Sequence, residues 1–217
     1  MSEAIITAAV NHEPFWPNFR RDLQRHFVYH PHASLLRKLS LCVMVEGIWA
    51  MAVYRFGRSL HTRGGAVLVL WPLFAAWEMA VRLLTGIHLD VDAAIGPGFY
   101  VGHHGAIYVG PGSRIGPDSN IGQMCYVGSA MGIQGAAPVI GERVYLGPGC
   151  KVLGAVKIGD RAAIATGAVI LDDVPAGTTA VGNPARVVSK TGSDELIFLG
   201  EGKPLATGID AVSRMAG

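Results

Sequence analysis

An aliphatic residue recurs at every sixth position late in the chain: Ile140, Leu146, Val152, Ile158, Ile164 and Ile170. The same interval links Val109, Ile115, Ile121 and Val127, and earlier Leu89, Ile95, Val101 and Ile107. A helix face returns at three, four and seven residues and a half-buried strand at two, so six describes a repeated strand-and-turn unit. A β-sandwich does not hold one spacing over so many repeats. If three units close one triangular coil, each repeated residue points to the axis and stacks on its equivalent one coil away, forming a continuous dry core. Gly follows the repeated residue at positions such as Gly110, Gly116, Gly128 and Gly141. These glycines, with Asp118 and Asp160, are expected at corners where the backbone takes an unusual φ.

The first 86 residues lack this period and read as helices. Leu39 to Leu60 is apolar with charges at Glu46, Arg55 and Arg58, and Gly65 to Leu84 is interrupted by Pro72, Glu78 and Arg82. Neither offers the roughly 20 uninterrupted apolar residues of a bilayer crossing. Packed helices are the simpler expectation. Peripheral membrane contact is the other, since Trp49, Trp71, Trp77 and several Arg are residues found at headgroup depth. The chain therefore divides into a helical domain (1–86), a β-helix (87–188) and a polar, Gly-rich tail (189–217).

Charge adds an exclusion. The 217 residues carry a net +2, and no run of Lys and Arg marks a nucleic-acid surface. Residues 1–86 hold nine Lys/Arg against five Asp/Glu (+4), and the remainder nine against eleven (−2). Cys42, Cys125 and Cys150 form no CxxC pair and no cleavable signal pattern is evident, so a cytoplasmic location is expected.

His103 and His104 are the histidines within the repeats. They fall where the period slips by two residues between Ile107 and Val109, so the segment His103-His104-Gly105 is expected to bulge from the wall. A polar bulge on a rigid scaffold suits a site, and histidine suits a general base. No histidine follows His104, which leaves no three-histidine zinc site of the γ-carbonic-anhydrase kind, and no metal is expected.

Residues 85–188 resemble the hexapeptide-repeat acyltransferases, in particular their serine acetyltransferase-like branch. The resemblance rests on Leu83-Leu84-Thr85-Gly86-Ile87, Gly98-Phe99-Tyr100-Val101-Gly102-His103, the repeats, and Val181-Gly182-Asn183-Pro184-Ala185-Arg186-Val187-Val188. It implies a mainly β fold, a left-handed parallel β-helix behind an N-terminal α-helical domain, and a homotrimer with active sites in its subunit clefts. It also implies acetyl-CoA as co-substrate and His103 as general base. CoA contacts carried over by position are Gly128 and Ser129, Gly147 and Pro148, and Ala165 and Thr166. Arg186 is expected to meet the nucleotide phosphates; Lys151 and Lys190 near the same end are expected as solvated surface charges, with phosphate contact the other reading.

The departures from that branch concern the acceptor. Gly102 replaces the Asp before the histidine, Pro111 replaces a Glu, and Ala136 and Ala137 replace an Arg-His pair that grips the amino acid. Free serine needs a cation for its carboxylate and an anion for its ammonium, and unpaired substrate charges are costly to bury. The acceptor is therefore expected to be a saccharide hydroxyl of a surface polysaccharide or its lipid-linked or nucleotide-linked precursor. Serine O-acetylation is the alternative, an amino sugar a further acceptor, and a non-catalytic scaffold or binding module the reading of another class. Asp90, Asp92 and Asp118 are the candidates to orient His103 across a subunit boundary.

Overall fold

The six-residue period becomes a left-handed parallel β-helix with three faces. A computed structural model of the chain describes residues 15–63, 70–130 and 136–200. The first face stacks β1 (Ile87–Leu89), β4 (Ile107–Val109), β7 (Tyr126–Gly128), β10 (Lys151–Leu153) and β13 (Val169–Ile170). The second stacks β2 (Ala94–Ile95), β5 (Arg114–Ile115), β8 (Val139–Ile140) and β11 (Lys157–Ile158). On the third lie β3 (Tyr100–Val101), β6 (Asn120–Ile121), β9 (Tyr145–Leu146), β12 (Ala163–Ile164) and β14 (Thr179–Gly182), closed by an antiparallel β15 (Ala185–Ser189).

The repeated aliphatic residues pair in register. Val101 meets Ile121, Ile121 meets Leu146 and Leu146 meets Ile164, all buried. Such a column removes apolar surface from water at each rung, which is the main stabilisation a solenoid has.

The glycines after these residues serve a purpose other than the expected one. Gly116, Gly122, Gly141, Gly147 and Gly159 have ordinary φ, and a Cβ on any of them would lie 2.4 to 2.7 Å from a backbone atom of the next coil. Close coil-on-coil approach, not φ, excludes a side chain there. At Gly110 and Gly128 the ring of the tyrosine two residues earlier covers the glycine instead, 2.9 and 3.3 Å from the Cβ position. Left-handed positions include Gly98, Asp118, Arg143 and Arg161, and Asp118 alone of the expected corner residues is among the residues with positive φ, at 58°.

Four helices among the described residues precede the coil: α1 (Phe15–Phe27), α2 (Leu35–Met44), α3 (Glu46–Arg63) and α4 (Trp71–Thr85). The apolar run from Leu39 to Leu60 is thus two helices, broken at Val45 in an extended conformation, with axes bent by 78°. Residues 65–69 of the second apolar run lie outside the described residues. Pro72 starts α4 in its first turn, where the missing N–H costs nothing. Gly86 ends it at φ 69°, its N–H donating to the Arg82 carbonyl, and β1 follows at once.

A buried ion pair fixes helices to coil. The Arg55 guanidinium donates to Asp22 at 2.8 Å and to the carbonyls of Ile95 and Gly96. Asp22 in turn accepts from the N–H groups of Gly98 and Phe99. Burial raises the Asp22 carboxyl above its usual range, with Arg55 opposing. The tail returns to the same place: Ile197 is buried, and the Phe198 carbonyl accepts from Arg25.

Candidate functional site

His103 stands two residues beyond the inward Val101, at the corner where the third face turns into the first. The register Ile87 to Ile107 makes this coil 20 residues long, whereas Val109 to Val127 spans 18. The two extra residues form the expected bulge. Gly105 anchors it, its N–H donating to the Thr85 carbonyl at 2.8 Å and its carbonyl accepting from Met124 at 3.0 Å. Gly105 and Ala106 both take positive φ, 97° and 48°. Held at its base, the bulge presents His103 and His104 to solvent.

His103 makes no hydrogen bond or ion pair among the described residues. Within one chain, the carboxylates expected to orient it from an adjacent subunit have partners of their own. Asp118 pairs with Arg21 at 2.5 Å, Asp92 with His61 at 3.0 Å, and Asp90 accepts from the Asp92 N–H and lies 3.9 Å from His88. The acidic residue at the bulge is Glu46, whose Oε1 is 3.6 Å from Nδ1 of His104. Glu46 opens α3, and Gly47 lets the helix approach, since a Cβ there would clash at 2.3 Å with the Val101 carbonyl. More than 50 positions separate Glu46 from His104 in the sequence, and no spacing signal connects them.

Gly102 also has a structural cause. A Cβ there would sit 3.1 Å from the Tyr100 ring. Tyr100 is itself covered: His26 lies 4.6 Å and Tyr29 5.3 Å from it, centroid to centroid, and burial pushes its phenol up to about 12. Tyr100, Tyr108 and Tyr126 therefore separate. Tyr108 and Tyr126 stack at 5.0 Å on the first face, continuing from His88, while Tyr100 packs beneath α1.

The residues carried over for CoA fall on two corners. Two residues beyond the paired Val101, Ile121, Leu146 and Ile164 stand His103, Gln123, Pro148 and Thr166, one column on one corner. Gly147 and Ala165 are the residues before Pro148 and Thr166, and a Cβ on Gly147 would meet the Thr166 nitrogen at 2.8 Å. Gln123 in this column keeps a buried Oε1 without a hydrogen-bond partner.

Gly128 ends β7 and Ser129 follows it on another corner, in register with Gly110 and Pro111. Ala137 approaches Gly112 there, 3.3 Å from its Cβ position. The positions that would grip an amino acid thus carry Pro111, Ala136 and Ala137, none of them charged. Arg186, on β15, pairs with Asp172 at 3.3 Å and is exposed. Beside it lies a hollow of about 180 Å³ bordered by Leu171, Asp172 and Val187. An exposed pair is worth little and yields readily to a stronger anion.

The family described as "Bacterial transferase hexapeptide (six repeats)" matches residues 137–172. The serine acetyltransferase of Helicobacter pylori (strain 26695) is 34% identical over 154 residues, which are 70% of this chain and 87% of that protein. That of Escherichia coli K12 is 36% identical over 152 residues, 70% of this chain and 54% of that one. Among solved structures, a serine acetyltransferase of Brucella abortus in complex with coenzyme A superposes with TM-score 0.70 at 25% identity, over 87% of this chain and 72% of that chain.

Proposed function

From a chain that belongs to the serine acetyltransferase family of hexapeptide-repeat acyltransferases, we propose O-acetyl transfer in which His103 is the general base. The chain is an acetyl-CoA-dependent acyltransferase, and the observation that carries the residue assignment is the anchored two-residue bulge with His103 in the column of Gln123, Pro148 and Thr166. In the proposed step His103 takes the proton of the acceptor hydroxyl as its oxygen attacks the thioester carbonyl. The oxyanion collapses, the carbon–sulfur bond breaks, and the CoA thiolate leaves, receiving the proton back from His103.

Serine is the acceptor favoured by kinship, since the Helicobacter relative bears that name and is matched over 87% of its length. The expected saccharide acceptor has no support among the relatives named above. It stays as a second reading on one observation: Gly102, Pro111, Ala136 and Ala137 carry no charge at the four positions where a zwitterion would be gripped. The two-corner distribution of the CoA residues supports a trimer, because a cleft formed by corners of adjacent subunits unites what one chain separates. A panel of serine, amino sugars and nucleotide-linked saccharides, read as free thiol released from acetyl-CoA, tests the acceptor. Turnover with serine alone removes the saccharide reading; turnover with a saccharide alone removes serine.

A further inference from the structure

Helix α2 carries an uncovered apolar face. None of its residues is buried, and Leu35, Leu36, Leu39 and Val43 are 55 to 80% exposed. At 100° per residue these four fall within about a third of the helix circumference. A helix of a globular core turns such a face inward; α2 turns it to solvent. It is held to α3 by the Trp49 indole N–H, which donates to the Cys42 carbonyl at 2.9 Å. Helix α4 also packs on α3 with an outward apolar face of Leu73, Trp77, Leu83 and Leu84.

Charge selects what covers α2. Arg37 is exposed beside the leucines, and the Lys38 ammonium lies 5.7 Å from the centre of the Phe27 ring. Between residues 15 and 45 the acidic side chain is Asp22, and it is spent in the buried pair with Arg55. A second copy meeting α2 about a two-fold axis would bring Arg37 and Lys38 against their equivalents, with no carboxylate on α2 to relieve them. No single described helix is long and apolar enough to cross a bilayer; α2 and α3 together reach that length only through a bend of 78°, and α3 buries Met51, Tyr54 and Arg55 inside the protein. Apolar residues flanked by cations on a short exposed helix suit an anionic lipid surface.

We propose that α2 seats in an anionic lipid surface, with its leucines at the acyl boundary and Arg37 and Lys38 among the headgroups. Helix α2 ends at Met44, two residues before Glu46, which contacts His104. Docking therefore holds the histidine bulge near the lipid.

Flotation of the full chain with vesicles of phosphatidylcholine, alone or with added phosphatidylglycerol, tests this without reference to catalysis. The chain binds the anionic vesicles, less strongly as salt rises. Leu36→Asp with Leu39→Asp abolishes binding. Arg37→Gln with Lys38→Gln weakens it about thirtyfold, at the worth of two cations near an anionic surface. Because α2 buries no side chain, both double variants keep the thermal midpoint of the parent, and the charge pair alone suffices for the test if the leucine pair does not fold. No flotation with the anionic vesicles, or flotation unchanged by the charge variant, overturns the proposal. A leucine variant that instead lowers the mass in solution without vesicles also overturns it and makes α2 an interface between copies.

Discussion

The imidazole of His103 owes its place to two residues that the hexapeptide period does not contain. Gly105 ties the bulge to Thr85 and Met124, so the proposed base stands on a rigid support. This was readable in advance as the slip between Ile107 and Val109, whereas the contact of Glu46 with His104 was not, because it depends on how α3 lies against β3. Replacing His104 with Ala should keep turnover within about tenfold, while losing a general base costs about a hundredfold or more; steady-state rates of the two single variants separate them. His26 makes a second prediction. Burial, with Arg25 adding, lowers its pKa to about 4, and its Nε2 has no partner. The unfolded chain then takes up a proton that the native protein refuses as pH falls from about 6.5 towards 4, and stability is lost over that window, by up to about 3 kcal/mol. Asp22 pulls the opposite way. The test is therefore the difference in urea midpoint between the parent and His26→Phe, which should shrink the loss at acid pH.

At the scale of the element, the strands were legible because six residues is a period no other element uses. The reason for the glycines was not, since close approach between coils leaves no trace in one strand. Gly147→Ala should therefore cost about 2 kcal/mol or more by overpacking against Thr166. Gly167→Ala, at φ 71° with nothing near its Cβ position, should cost about 1 kcal/mol of backbone strain; denaturant midpoints rank them. The helices were legible as apolar runs but not as separate elements, because the break at Val45 carries neither Gly nor Pro. Their attachment was hidden too, because no spacing links Asp22 with Arg55, 33 positions away, until folding joins them. Breaking that buried pair by Asp22→Asn should cost about 3 to 5 kcal/mol by equilibrium unfolding.

Across the whole molecule, the proposed reading makes one chain the provider of two half-sites. His103, Gln123, Pro148 and Thr166 line one corner; Pro111, Ser129 and Asp172 another, with Arg186 paired to Asp172 at its far end. Kinship with the Helicobacter enzyme and a comparison with the coenzyme A complex from Brucella agree on acetyl-CoA chemistry. The sequence could present the family but not this separation, which exists only once the coil has turned. If corners of adjacent subunits form the cleft, specific activity should fall on dilution as the oligomer dissociates, and Arg186→Ala should raise KM for acetyl-CoA while leaving kcat nearly unchanged. The central claim is that His103 takes the acceptor proton during transfer from acetyl-CoA. Free-thiol release with the acceptor panel, for the parent and His103→Ala at equal oligomeric state, tests it most directly. Acceptor-dependent release by the parent, reduced a hundredfold or more in the variant, is the predicted result; equal release by both would contradict it.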